Sequence, residues 1–172
     1  MASTLINPTI LFFFPALMAL SASLDLVTMT IPNKICAALA IGYLVAALAL
    51  GTPATVILIH LSCGAAILAL TFALFAMGWI GGGDAKLAAA TAVWMGWGLV
   101  LDYGLTAAIL GGVLTVALLF ARSLTLPLFL QRHEWIARLH HRKTGVPYGI
   151  ALAAAGILQY PHSPIWSAVA GA

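Results

Sequence analysis

Charged residues are scarce in this chain. Only 6% of its 172 residues are Asp, Glu, Lys or Arg, whereas 63% are hydrophobic. This composition excludes a soluble globular domain and indicates transmembrane helices. The length suits one helical bundle, so we expect residues 1–172 to form a single domain. The net charge of +3 gives no support for nucleic-acid binding, because most of the basic residues lie in one stretch, residues 122–143.

Cysteine is almost as scarce. Cys36 and Cys63 both lie in apolar segments, and neither belongs to a Cys-x-x-Cys pair. That arrangement argues against a disulfide framework or a metal site. We expect both thiols to be buried as small hydrophobic side chains, and we expect no metal and no other cofactor.

Basic residues are missing from the beginning of the chain, where Lys34 is the first Lys or Arg. A secretory signal has a basic amino-terminal region, and a polar mature domain follows it. Neither feature is present, so we interpret the first apolar segment as a membrane span.

Long apolar segments, by contrast, are frequent. A helix needs ~20 residues to cross ~30 Å of hydrocarbon. Six segments approach this length, and they predict an all-α polytopic membrane protein with a bundle of about six transmembrane helices: residues 8–26, 35–50, 54–77, 85–101, 105–121 and 148–168. The turn between the fourth and fifth spans is expected at Asp102-Tyr103-Gly104.

The basic residues predict the orientation. With six spans, Lys34, Lys86 and the basic residues of the stretch 122–143 all fall on one face of the membrane. Cytoplasmic loops carry the excess of Lys and Arg, so this face should be cytoplasmic and both termini should lie outside.

Two of the four acidic residues, Asp25 and Asp84, lie at the ends of the first and fourth predicted spans, on the predicted cytoplasmic face. A charged side chain at lipid depth costs about 2.5–3.5 kcal/mol, which makes both functional candidates. Two carboxylates held close together share a proton and can activate water against a peptide bond. Capping is an equally good explanation of Asp84 alone, but it does not explain Asp25, whose charge at a helix C-terminus opposes the macrodipole.

Three short sequences carry a family resemblance. Asp25 is followed six residues later by Ile31-Pro32-Asn33, and the sixth predicted span opens with Val146-Pro147-Tyr148-Gly149. Between them, three glycines precede the second aspartate in Gly81-Gly82-Gly83-Asp84-Ala85-Lys86-Leu87. In this order the sequences resemble the type IV prepilin peptidases, bacterial aspartyl peptidases with a Gly-x-Gly-Asp motif.

The resemblance implies a catalytic pair formed by Asp25 and Asp84. Glycine permits a sharp bend and a close approach to substrate, so Gly81 and Gly83 are expected to position the backbone at the site. Asn33 and Lys86 are expected to support it. The implied reaction removes a short leader from a pilin precursor at the cytoplasmic face of the bacterial inner membrane, in contact with lipid and with the pilus assembly machinery as a further partner.

The chain also departs from the family pattern. The paired Cys-x-x-Cys motifs of the long form's methylating module are missing from the sequence. The resemblance therefore implies the short form associated with Flp/Tad-type pilus assembly, with cleavage but no N-methylation. Residues 26–30 carry none of the basic side chains usual before Ile-Pro-Asn.

Two functions of other classes remain as alternatives. A small proton- or cation-coupled transporter could use the same aspartates, and its expected signs are internal repeats and helices broken at mid-membrane. The sequence shows no clear repeat, and both aspartates map to span ends. A structural assembly subunit would leave Asp25 unexplained.

Two other features have two interpretations each. In the basic loop at residues 122–147, Trp135, Ile136 and Leu139 share a helical face. This pattern fits an interfacial helix on anionic lipid, and a solvated basic loop fits equally well. His60, in the third span, is interpreted as hydrogen-bonded to a neighbouring helix rather than as a proton relay.

Overall fold

The computed structural model describes residues 2–142 and 144–170, and within these ranges the regular structure is helical, with no strand. Lys143, one of the predicted cytoplasmic charges, lies outside the described residues. The α-helices are α1 (Ala2–Thr28), α2 (Asn33–Ala49), α3 (Ala54–Ala76), α4 (Gly82–Ser123), α5 (Leu128–Gln131), α6 (Glu134–His140), α7 (Gly149–Gln159) and α8 (Pro164–Ala170). The predicted all-α fold is confirmed.

Within the described residues, three helices are long and apolar enough to cross a membrane: Thr9–Thr28, Ala54–Ala76 and Gly82–Ser123. Helix α2 is apolar but has only 17 residues. The prediction of one continuous helix over residues 148–168 is wrong, because α7 gives way to a 3-10 turn at Tyr160–His162 before α8 begins at Pro164. Pro161 and Pro164 have no backbone N–H to donate, which explains the interruption.

The boundary between the fourth and fifth predicted spans also differs from the prediction. Asp102, Tyr103 and Gly104 are helical, and α4 is instead broken at Gly96, where φ is 64° and ψ is −179°. This backbone conformation is essentially restricted to glycine. A Cβ at Gly96 would also lie 2.7 Å from the His60 ring. The sequence-based prediction of a turn missed the break because Gly96 lies between two tryptophans in an otherwise apolar segment.

The two arms of α4, residues 82–95 and 97–123, fold back beside each other. An unbroken helix would place Ala107 about 35 Å from Asp84. Both residues instead line one cavity of about 300 Å³, and Tyr148 lines it as well. The break at Gly96 therefore makes α4 a helical hairpin.

The first arm of α4 is the centre of the bundle. Its residues from Leu87 to Gly96 are buried, and most of them are small, which permits close helix packing. Trp94, fully buried, donates from Nε1 to the Leu39 carbonyl of α2 at 2.9 Å, so this tryptophan packs in the core. His60 lies 2.8 Å through Nδ1 from the Val93 carbonyl, which confirms the predicted interhelical hydrogen bond. The two cysteines are buried, as predicted.

Candidate active site

Asp25 lies on the last turns of α1, where its side chain is only 5% exposed. Its Oδ2 accepts a hydrogen bond of 2.8 Å from the backbone N–H of Gly149, the first residue of α7. The partial positive charge of a helix N-terminus stabilises a carboxylate. The start of α7 thus offsets the unfavourable dipole that Asp25 meets at the end of its own helix.

Asp84 lies in the first turn of α4 and is partly buried. Gly81 is the N-cap residue of this helix, and its backbone N–H donates to the Asp84 carboxylate. Asp84 therefore takes the position of the acidic partner in a capping box. The same carboxylate also lines the 300 Å³ cavity. Asp84 can therefore cap α4 and belong to the site at the same time.

The fold brings the two aspartates together. Asp25 and Asp84 lie close enough to interact electrostatically although 58 residues of sequence separate them. Ile31 lies between Gly83, which precedes Asp84, and Gly149, which bonds Asp25. Its Cβ is 3.3 Å from the position that a Cβ on Gly83 would take, and its Cδ1 is 2.7 Å from the position that a Cβ on Gly149 would take. The end of α1, the start of α4 and the start of α7 thus converge on one acidic pair.

Gly81 and Gly83 lie at this junction, but they do not form the sharp bend expected from the sequence. Gly81 has extended backbone angles, φ −73° and ψ 145°, and the positive φ before α4 occurs at Gly78. Glycine is required at positions 81 and 83 because the structure leaves no room for a side chain there. A Cβ on Gly81 would lie 2.9 Å from Asp84 Oδ2, and one on Gly83 would press on Ile31.

Asn33 and Lys86, the two expected supporting residues, contact each other. Lys86 Nζ donates to Asn33 Oδ1 at 2.9 Å, and both side chains are exposed. The bond ties the first turn of α2 to the first turn of α4. Lys86 thus bonds α2, and residues two apart on a helix, such as Asp84 and Lys86, do not face each other.

A sequence model described as the type IV leader peptidase family matches residues 12–116 of the chain. The matched region contains Asp25, Ile31-Pro32-Asn33 and the glycine-rich sequence at Asp84. The chain belongs to the type IV leader peptidase family. No curated protein and no solved structure matches it.

Three residues of this leader peptidase reach the acidic pair without having been predicted as site residues. Tyr103 and Tyr148 line the cavity beside Asp84, and Gly149 bonds Asp25. The sequence around Tyr148 and Gly149 carries part of the family resemblance, which was a signal for a role at the site. Tyr103 had no such signal, because its approach to Asp84 depends on the hairpin at Gly96.

We expect Gly149→Ala to reduce kcat of the peptidase by about 10–100-fold and also to lower its stability, because the new Cβ would lie 2.7 Å from the buried Ile31 Cδ1. The new Cβ would lie 2.8 Å from Asp25 Oδ2, and the carboxylate must move to relieve the contact. A misplacement of about 1 Å at a reacting group can cost about 100-fold in rate. Steady-state cleavage, measured as separate kcat and KM, checks this expectation. Gly145→Ala is the control, since its Cβ would meet only Met29 Cε at 4.0 Å; equal rates for the two variants would contradict it.

The basic loop of the peptidase folds against the same end of the bundle. Arg122 is buried, and its guanidinium donates to the Leu139 carbonyl at 2.7 Å and to the Gly145 carbonyl at 2.9 Å. Arg138 of α6 donates to the Val27 carbonyl at the end of α1. Leu139 of the predicted apolar face is buried against protein. Part of this loop therefore forms a helix, α6, and arginine hydrogen bonds fix the loop to the bundle. Contact of its remaining surface with lipid stays a prediction.

We expect Arg122→Met to loosen this loop. The substitution keeps an unbranched side chain but leaves the carbonyls of Leu139 and Gly145 without their donor, at a cost of about 1–3 kcal/mol. Limited proteolysis should cut the variant between residues 123 and 147 faster than the wild type. Arg132→Met, at an exposed position of the same loop, should be cut at the wild-type rate. Equal protection of all three proteins would contradict a bracing role for Arg122.

Proposed function

We propose that this protein is an intramembrane aspartyl endopeptidase that removes the leader from type IV prepilins. The observation that carries the proposal is the acidic pair: Asp25 and Asp84, from separate helices, lie within electrostatic range of each other next to a cavity. Membership in the type IV leader peptidase family supports the reaction class.

The proposed mechanism uses the two carboxylates as one unit. Two neighbouring carboxylates do not both ionise readily, so the pair holds one proton. The ionised member takes a proton from water, while the protonated member polarises the carbonyl of the scissile peptide bond. Water adds to the carbonyl carbon, the C–N bond breaks, and the nitrogen leaves as a protonated amine. Gly149 and Gly81 hold the two carboxylates through their backbone N–H groups.

The proposal also includes the membrane face of the acidic pair, cleavage without N-methylation and the type of pilus system. The positive-inside rule supports a cytoplasmic position for the pair, which lies near Lys34 and Lys86 in the sequence. The missing Cys-x-x-Cys motifs support cleavage without N-methylation, as in Flp/Tad-type systems. The transporter alternative is less well supported, because the helix break is at Gly96, whereas the aspartates lie at helix ends.

The test is incubation of the detergent-purified protein with an Flp-type prepilin. The expected result is a shortened pilin with a free, unmethylated amino terminus, identified by mass spectrometry with S-adenosylmethionine present. The double variant Asp25→Asn, Asp84→Asn should leave the precursor intact. Asp102→Asn is the matched control, because Asp102 is an exposed aspartate of the second α4 arm near His162, away from the pair. Cleavage by the double variant would overturn the proposal.

A further inference from the structure

The cavity beside Asp84 is built between α3, both arms of α4 and the beginning of α7. Its volume is about 300 Å³, at the lower end of the roughly 300–1,000 Å³ typical of ligand pockets. Ile67, Leu70 and Leu74 of α3 form one wall, and Val100, Tyr103 and Ala107 of the second α4 arm form another. Hydrocarbon makes up most of this lining, and the Asp84 carboxylate closes one end.

One buried polar atom of this cavity has no partner. Tyr103 is 3% exposed, and its hydroxyl makes no hydrogen bond of normal geometry within the described structure. The Thr91 hydroxyl is close to it and donates its own proton to Met18 Sδ, so it could only accept from Tyr103, and the geometry for that bond is not met. Tyr148, by comparison, is already bonded to the Ala107 carbonyl at 3.1 Å. A buried hydroxyl without a partner is unusual in folded proteins, and this one is available to a carbonyl oxygen of a bound peptide.

The position of the opening indicates the direction of approach. At the Gly96 end, Trp97 Nε1 donates to Ser62 Oγ at 3.0 Å and joins the second arm to α3. The cavity lies between the two helices on the Asp84 side of this bond, and Leu70 is 57% exposed on its α3 wall. Since α3 and α4 are candidate membrane spans, an apolar ligand can reach the cavity from the side, at membrane depth.

We infer that this cavity, called here the Asp84 cavity, is the subsite for the apolar part of the peptide substrate next to the scissile bond. The cavity extends from Asp84, in the first turn of α4, towards Val100 near the helix break. It therefore receives the residues that enter the membrane rather than the polar leader. Tyr103 donates from its hydroxyl to a carbonyl of this segment. A charged side chain would be rejected, because burial without a partner is costly. The inference rests on the proposed peptidase function.

The first experiment measures binding without catalysis. A photo-crosslinking benzoylphenylalanine replaces Leu70 in an Asp84→Asn background, and the detergent-solubilised protein is irradiated with full-length prepilin. The crosslink should map to the apolar segment beside the leader junction. The same residue in place of Leu58, also exposed on α3 and 64% accessible, should give little product. Crosslinking only to lipid or detergent, or equally from both positions, would overturn the subsite.

The second experiment uses the active enzyme. Leu70→Trp should raise KM for prepilin about tenfold by filling the opening, whereas Leu58→Trp should leave it unchanged. Tyr103→Phe keeps the ring in place and should lower kcat/KM about tenfold. With a prepilin that carries Glu at the first apolar position, the wild type and Leu70→Trp should no longer differ in KM.

The two proposals fail in different ways. If the wild type cleaves prepilin and neither Leu70→Trp nor Tyr103→Phe changes kcat/KM, the subsite is wrong and the peptidase stands. If cleavage survives loss of both aspartates, the peptidase mechanism is wrong. In that case a crosslink from position 70 would still locate the peptide-binding site. If no crosslink formed, the proposed subsite would be wrong as well.

Discussion

Asp25→Asn and Asp84→Asn should each lower the kcat of prepilin cleavage by at least about 1,000-fold. A positioned general acid or base contributes about 10²–10⁴-fold, and the proposed mechanism needs one carboxylate as the base toward water and the other as the acid toward the carbonyl. Groups that act as one unit are strongly non-additive. The double variant should therefore be about as slow as either single variant, and this equality is the sharper test of a pair.

The asparagine substitution isolates the carboxylate from the fold. An amide oxygen at position 25 can still accept the Gly149 N–H bond of 2.8 Å, and one at position 84 can still accept from Gly81. Thermal unfolding in detergent should accordingly stay close to that of the wild type, and Asp102→Asn should match it in both rate and stability. A single variant retaining more than about a tenth of wild-type kcat would rule out a two-carboxylate mechanism.

The same pair predicts the pH dependence of kcat/KM. Activity needs one ionised and one protonated carboxylate, so the rate should fall at low pH, where both are protonated, and at high pH, where both are ionised. The profile should be bell-shaped, and its two limbs belong to the pair rather than to either residue. A rate that rises to a plateau with a single limb would indicate a different acid–base group.

Gly96→Ala should destabilise the protein by at least about 3 kcal/mol. Alanine at φ 64° and ψ −179° would occupy a region that is essentially restricted to glycine, at a cost of about 1–3 kcal/mol. Its Cβ would in addition lie 2.7–3.0 Å from three atoms of the His60 ring, which is itself stacked on Tyr43 with centroids 5.2 Å apart. The ring has little freedom to withdraw.

Thermal unfolding in a mild detergent measures this effect, with Gly98→Ala as the matched control two residues away. A Cβ on Gly98 would meet nothing within 4 Å, and alanine is about 0.5–1 kcal/mol better than glycine inside a helix. The control should thus be as stable as the wild type or slightly more so. Adding His60→Ala to Gly96→Ala separates the clash from the backbone strain, since only the clash is relieved. Equal stability of Gly96→Ala and wild type would contradict the requirement for glycine.

The helical class was predictable because it follows from composition. A chain with 63% hydrophobic residues and long apolar segments has to satisfy its backbone polar groups internally, and helices do so within each segment. The positions of Asp25 and Asp84 at segment ends also follow from the sequence alone. So does the interhelical bond of His60, since a lone imidazole within apolar helices needs a polar partner.

The predicted turn at Asp102-Tyr103-Gly104 and the unbroken sixth span were wrong for different reasons: Pro161 and Pro164 interrupt the sixth span locally, whereas the position of the turn depends on tertiary packing. Local turn chemistry favours Asp and Gly at a chain reversal, but the reversal occurs at Gly96, where the His60 ring of α3 packs against the glycine and lies 2.8 Å through Nδ1 from the Val93 carbonyl of α4. Shifting the hairpin by several residues changes which side chains of the second arm face Asp84. Tyr103 moves from an expected outer turn into the cavity.

The sequence by itself determined an all-helical membrane chain, the family, and two aspartates at the ends of apolar segments, because hydropathy and short motifs are local properties. Only the tertiary structure decided that Gly149 of a distant helix donates to Asp25, that Gly81 and Gly83 are needed for close packing rather than for a bend, and that Tyr103 lies beside Asp84. These contacts join residues up to 124 positions apart. They depend on how helices pack, and no local pattern encodes that packing.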